Sequence, residues 1–360
     1  MLYALAGPGL RMAGAFLTAL VVCLIAGGPF IRWLRARGLG ESFRKLGPER
    51  RQIVDDSKEG TPTMGGLLTI ASVLVTCALW CDVVDPLVLT GLGVFVAAGC
   101  VGLRDDWLKC FHTERAGMSL RVKLALLSAI ALAAGTCLLV FVWGGDEALA
   151  PLCALVVPFT DVRLDLGVAL GLPFLAVVVC VVCGTANAVN LTDGMDGLAA
   201  GCLTIACAAF VALAVLAGSP ELAARVGVAT APGADEIAVL LAAVTGAALG
   251  FLRFNVRPAR VFMGDIGSLS FGAVLGYAAV AIRMELALFV IGGVFVAEAL
   301  SVIVQVTSYR LYRKRVFLCA PVHHHFQKQN VPESTIVARF WCAGIVFAVL
   351  PLVLVLVGVR

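Results

Sequence analysis

The chain has 360 residues, 61% of them hydrophobic and 14% charged, with a net charge of +4. A soluble domain carries roughly 25% charged residues, so a shortfall spread along the whole chain points away from a soluble fold and toward a polytopic membrane protein. A soluble chain of this length would divide into two cores; a helical bundle in lipid needs no such division, so one domain over 1–360 is expected, with no nucleic-acid partner.

A spanning helix needs roughly 20 mainly apolar residues. Ten candidates follow in chain order: 12–33, 64–81, 86–103, 120–143, 166–186, 198–217, 236–254, 267–282, 285–307 and 339–358. Backbone groups in hydrocarbon must pair internally, so the expected fold class is all-α. The first candidate reads as a spanning helix and not as a signal peptide, because Arg11 is the only early cation and the apolar run to Ile31 is too long. Most of the 13 cysteines lie within apolar runs. The Cys180/Cys183 pair is therefore read as two small hydrophobes, with no disulfide framework.

The connections after the first, third, seventh and ninth candidates hold 22 of the 27 Lys and Arg residues. They include Arg44, Lys45, Arg50, Arg51 and Arg115, whereas the opposite side has Arg11, Arg163, Arg225, Arg283 and Arg360. By the positive-inside rule the first set faces the cytoplasm and both termini lie outside.

The unusual polar residues all fall on that cytoplasmic side. Asp105 and Asp106 end the third candidate. Two adjacent acids there oppose the helix dipole and repel one another, so cationic partners are expected. After the fifth candidate comes Asn187-Ala-Val-Asn190-Leu-Thr-Asp193-Gly-Met-Asp196-Gly. Residues three apart are neighbours on a helix, so Asn187, Asn190, Asp193 and Asp196 would form one curving strip. A cap accounts for one such residue, not four in register. This connection has no Lys or Arg, and its hard oxygen ligands suit Mg²⁺.

Before the eighth candidate stands Phe262-Met-Gly264-Asp265-Ile-Gly-Ser268. Asp265 suits an N-cap and a ligand equally, and the roles combine where a helix N-terminus binds phosphate. Glu298 and Gln305 lie seven residues apart on one face of the ninth candidate. Both are expected to line a wet cavity within the bundle. Beyond them comes Pro321-Val-His323-His324-His325-Phe326. Three consecutive side chains cannot all face one zinc ion, which leaves phosphate binding or proton transfer by imidazole.

Five segments stand in order: GTPTMGG at 60–66, GLRDDWLK at 102–109, NAVNLTDGMDGLA at 187–199, FLRFNVRPARVFMGDIGS at 251–268 and APVHHHF at 320–326. Together they resemble the polyprenyl-phosphate N-acetylhexosamine-1-phosphate transferases. The triple-histidine segment resembles the muramoyl-pentapeptide branch more than the N-acetylglucosamine branch. The resemblance implies transfer of phospho-N-acetylmuramoyl-pentapeptide from UDP to undecaprenyl phosphate, giving lipid I and UMP in the first membrane step of peptidoglycan synthesis. It also implies a bacterial inner-membrane homodimer of ten helices with a Mg²⁺ site at the cytoplasmic face.

By the same resemblance Asp105, Asp106, Asp265 and His324 are catalytic, with Asp265 the metal ligand. Asn187, Asn190, Asp193, Asp196, Asn255, Phe262, Gly264 and Ser268 would shape the nucleotide pocket. Lys58, Thr63, Lys109 and Lys123 match polar positions near the substrates, and Gln305 and His325 would lie near the nucleotide-sugar. Three positions depart from the pattern: Asp55 stands where the family often has a histidine, Arg253 replaces a frequent aromatic, and Arg121 sits beside Lys123. Direct attack of the lipid phosphate and a covalent phospho-aspartate both fit the sequence. A proton-coupled transporter would place its acids near the midplane and often show repeats; this chain does neither.

Overall fold

The computed structural model describes residues 6–40, 58–111, 117–142, 154–156, 163–165 and 171–357. Asp55, Arg44, Lys45, Arg50, Arg51, Arg115 and Arg360 lie outside the described residues. The chain is a helical bundle. In order come α1 (Pro8–Ala36), α2 (Gly66–Trp80), α3 (Pro86–Phe111) and α4 (Leu120–Cys137), which runs on into a π turn at Leu138–Val142. Then follow α5 (Leu172–Thr192), α6 (Leu198–Gly218), the short α7 (Pro220–Val226), α8 (Ala234–Asn255) and α9 (Gly264–Ala281). The last four are α10 (Glu285–Ile291), α11 (Gly293–Tyr312), the short α12 (Val322–Lys328) and α13 (Glu333–Val357). Among the described residues nine helices are long and apolar enough to cross a membrane, and α2 is a shorter apolar helix.

Four boundaries differ from the sequence reading. α3 continues past 103 to Phe111, because Lys109 pairs with Asp105 one turn earlier. α5 starts later and runs on to Thr192; inside its last turns Asn187 donates to the Cys183 carbonyl at 2.7 Å, and Asn190 reaches across to Ser268. The ninth candidate breaks at Gly292 into α10 and α11, with Gly293 pressed against the Phe347 ring. α13 begins at Glu333, six residues before the expected start, because the acid is held there by buried partners described below. The all-helical expectation also misses one feature, a ribbon in which β1 (Ala154–Val156) pairs antiparallel with β2 (Arg163–Asp165).

α9 is the axis of the bundle, buried along 94% of its apolar stretch. It packs on α3 and α5, while α8 packs on α1 and α6. Small residues permit this. A Cβ at Gly66 would run into the backbone of Gly267, and one at Gly102 into the backbone of Asp265, so α2 and α3 meet α9 at backbone contact. At one end of the bundle Arg11 donates two 2.6 Å bonds to Glu236 and a third to the Trp80 carbonyl, tying together α1, α2 and α8. The opposite end gathers the C-termini of α3, α5 and α8 with the N-termini of α2, α4, α6, α9 and α13. Every polar cluster described next lies there. No disulfide joins the 12 cysteines among the described residues.

Candidate active site

Asp105, Asp106 and Asp265 converge, their ligand oxygens all within 4.8 Å of one another and all three residues buried from solvent. Two lysines thread between them. Lys109 Nζ lies 2.6 Å from Asp105 Oδ2, 3.7 Å from Asp106 Oδ1 and 2.9 Å from Asp265 Oδ1. Lys123, from the first turn of α4, pairs with Asp265 Oδ2 and lies 3.3 Å from Asp105 Oδ2. The cations required to offset paired acids near a helix C-terminus are therefore present, and three carboxylates against two ammonium groups leave the cluster one negative charge in excess.

The three acids are held differently. Asp105 accepts from the Met118 amide at 2.6 Å. Asp106 accepts from the amides of Asp265 and Ile266, each at 3.1 Å, so it caps α9 from a neighbouring helix. Asp265 itself sits inside the first turn, and no side chain of the preceding Met263 caps the helix. Its ambiguity is thereby resolved: Asp106 is the cap, and Asp265 is free of that duty. Gly264 makes the arrangement possible. It has φ +73°, and a Cβ there would collide with Asp106 Oδ2 and crowd Thr63 Oγ1. The segment carrying Thr63 is laced to the start of α9, with Phe262 N donating to the Pro62 carbonyl at 2.8 Å and the amides of Gly65 and Gly66 donating to the carbonyls of Phe262 and Met263, each at 2.9 Å.

Asn190 Nδ2 donates to Ser268 Oγ at 2.9 Å, and Ser268 donates to the Gly264 carbonyl at 3.0 Å. Asp193 is half-buried at the C-cap of α5. The expected strip of four ends here, because the chain turns through Gly194 and carries Asp196 into a second cluster. There Lys58 Nζ lies 2.6 Å from both Asp196 Oδ1 and Glu333 Oε1. Arg257 pairs with Glu333 Oε2 at 2.6 Å, and Glu333 also accepts from the Asp196 amide at 2.8 Å. Asp196 accepts from the Ala259 amide; Asn255 accepts from Gly197 N and donates to the Val261 carbonyl. Asp196 is thus engaged by Lys58 and a backbone amide and does not join the carboxylate triad as a ligand.

The third group surrounds α12. His323, not singled out in the sequence, is its buried member: Nδ1 lies 3.1 Å from Glu298 Oε1, both side chains fully enclosed, and Nε2 abuts Gly194. Glu298 is therefore enclosed beside a histidine. His324 pairs with Gln327 at 2.9 Å and its ring lies 4.1 Å from that of His323. His325 Nδ1 accepts from the Leu318 amide at 3.1 Å. Gln305 accepts from the amides of Val316 and Phe317 and donates to the Phe317 carbonyl. It also lines an open groove of about 440 Å³ together with Tyr309, Arg310, Arg315 and Lys328, at the surface of the chain and not within the bundle. His323 and Glu333 were missed for different reasons. A triple histidine does not say which ring is inside, and an acid after Pro332 looks like an ordinary first-turn residue.

The profile of Glycosyl transferase family 4 matches residues 88–283, and that of Phospho-N-acetylmuramoyl-pentapeptide-transferase signature 1 matches residues 58–69. The chain is similar to the Phospho-N-acetylmuramoyl-pentapeptide-transferase of Koribacter versatilis (strain Ellin345), with 40% identity across 95% of this chain and 91% of the relative. The signature begins at Lys58 of the second cluster, and the longer match contains all three acids of the triad.

Proposed function

Because the chain belongs to the phospho-N-acetylmuramoyl-pentapeptide transferases, we propose that the carboxylate–lysine cluster at one end of its bundle joins the two substrates there. The chain is a multi-pass transferase of the bacterial inner membrane and acts in peptidoglycan synthesis. In our reading the cluster faces the cytoplasm, which is where the Lys- and Arg-rich connections lie. The donor is UDP-N-acetylmuramoyl-pentapeptide and the acceptor undecaprenyl phosphate, giving lipid I and UMP. A homodimer is carried over from the family resemblance.

The observation that carries this reading is the pair of lysines inserted among three acids. An oxygen of the acceptor phosphate forms the new bond to the β-phosphorus. The bond from that phosphorus to the bridging oxygen breaks, and UMP departs with the electron pair. Both reactants are anions, so the site must supply positive charge where they meet. Lys109 of α3 and Lys123 of α4 do this side by side, both ammonium groups lying against Asp105 Oδ2. Asp105 and Asp265 hold the two ammonium groups in place, and Asp106 fixes the start of α9. The oxygen donors of Asp105, Asp106 and Asp265, with one uncompensated negative charge, fit a Mg²⁺ ion, with Asp265 as its principal ligand. Such an ion supplies charge neutralisation of the diphosphate. In our reading Lys58, Asp196 and Phe262, on the loops outside the helix ends, and Asn255, the last residue of α8, serve the soluble nucleotide-sugar. In the same reading the half-buried His324 and His325 serve its sugar side.

The test is UMP release from purified protein supplied with UDP-muramoyl-pentapeptide, undecaprenyl phosphate and Mg²⁺. Release is expected with this donor and not with UDP-N-acetylglucosamine; the reverse preference would overturn the substrate assignment.

A further inference from the structure

Among the described residues outside the triad, Glu333 is a carboxylate that joins three separate residues, and no motif of the sequence marks it. Its side chain is 4% exposed, yet it accepts from three groups on three separate segments. These are the Lys58 ammonium at 2.6 Å, the Arg257 guanidinium at 2.6 Å and the Asp196 amide at 2.8 Å. Lys58 opens the segment that leads through Thr63 to α2, Asp196 stands two residues before α6, and Arg257 follows α8. Glu333 itself starts α13, which is braced on the same corner because Trp341 donates to the Gly197 carbonyl at 3.1 Å and covers Gly201. One carboxylate thus sets the spacing of three loops that come from distant parts of the chain.

The charges explain why this residue and no neutral one fills the place. Lys58 and Arg257 bring two positive charges, and Asp196 and Glu333 bring two negative ones. The quartet is neutral and its members are mutually satisfied, so Lys58 has a fixed position before any substrate arrives. Removing Glu333 leaves two cations to share Asp196. Lys58 would then move toward Asp196 or into solvent, and Asp196 would lose the acceptor that holds its own backbone amide. Charge-assisted bonds of this kind are the strong ones, and a displacement of about 1 Å in a positioning group is enough to weaken a site substantially.

We propose that Glu333 is a positioning residue for the nucleotide-sugar, acting through Lys58 and Asp196 and touching neither substrate. This rests on the reading above that Lys58 and Asp196 meet the nucleotide-sugar. The carboxylate triad has its own lysines, and the Thr63 segment is tied to α9 by backbone bonds that do not pass through Glu333, so the acceptor side is expected to be less affected.

The test is Glu333→Gln in the full-length protein, with steady-state kinetics in each substrate, direct calorimetric titration of the UDP-sugar, and thermal unfolding. The isosteric amide keeps the size and one acceptor while removing the charge. The expected result is a rise of about tenfold in KM and in the dissociation constant for UDP-muramoyl-pentapeptide, the loss of roughly one charged hydrogen bond. KM for undecaprenyl phosphate and kcat should change by less than about twofold. Glu333→Asp, which retains the charge but shortens the reach, should show the same selective defect in milder form and serves if the amide variant does not fold. Unchanged donor affinity, an equal loss for both substrates that follows a lower melting temperature, or misfolding of both variants would overturn the proposal and leave Glu333 a structural tie. Absence of UMP release by the wild-type protein would instead overturn the transferase reading, while the calorimetric titration still reports on Glu333.

Discussion

Asp106 and Asp265 carry the same side chain and hold opposite places in the network. Asp106 spends both oxygens on backbone amides of α9, whereas Asp265 spends both on lysines. Replacing Asp265 by Asn therefore removes charge without removing a cap. It also takes the cluster from three acids and two lysines to an even count, so the fold should not suffer. We expect Asp265→Asn to lower UMP release at least about 100-fold, the scale of a lost preorganised electrostatic contact, with a melting temperature at or above wild type. A melting temperature that falls with the activity would make Asp265 a structural residue. The chemistry of these acids was legible in the sequence because acids are costly near lipid and need a stated partner. The division of labour between them was not: capping from a neighbouring helix depends on how α3 and α9 cross, which no local pattern records. Glu333 was illegible for the same reason, since its three partners come from segments between 76 and 275 residues away.

At the scale of elements the glycines decide the geometry. The motifs around Gly66, Gly102 and Gly264 are places where one helix meets another without a side chain between them, and the acids next to these glycines are aligned by that contact. Gly264 is the most demanding, since it needs both a positive φ and the space taken by Asp106 Oδ2. Gly264→Ala should cost about 1–3 kcal/mol in strain alone and push Asp106 off its amides, so both melting temperature and turnover should fall; unchanged turnover would show that the cap can shift without harm. Helix existence was readable from the apolar runs. The break at Gly292 was not, because α10 and α11 form one uninterrupted apolar stretch in sequence. The ribbon of β1 and β2 escaped for a simpler reason: strands of three residues lie below any periodic signal.

For the molecule as a whole, the arrangement is two ends with different tasks. One end is closed by the neutral Arg11–Glu236 clasp, the other gathers all three polar groups. The carboxylate end accumulates negative charge on its own and receives further negative charge with either substrate. Turnover should therefore vanish on chelation and return with Mg²⁺ or Mn²⁺ but not Zn²⁺, because the ligands are oxygens and no cysteine lies among them. Full activity of the chelated enzyme with no divalent ion would assign the whole task to Lys109 and Lys123.

The short α2 has one more consequence. Its 15 residues span about 22 Å at the α-helical rise, against a hydrocarbon layer of roughly 30 Å. Leu74, Val75 and Leu79 are nevertheless exposed on the single chain, an apolar face that we expect to meet lipid. Its N-terminus lies beside the start of α9, where Gly65 and Gly66 meet Phe262 and Met263. Acyl chains next to α2 would then shorten or tilt to match it, and the headgroup layer would dip toward the carboxylates at that one place. A phosphate anchored in the bilayer is thereby lowered to its reaction partner without leaving the membrane. Bilayer thickness then becomes a control on the enzyme. Reconstituted in phosphatidylcholines of increasing chain length at constant fluidity, it should show a rising KM for undecaprenyl phosphate and a constant one for the soluble donor; equal dependence of the two would mean that the membrane does not deform at α2.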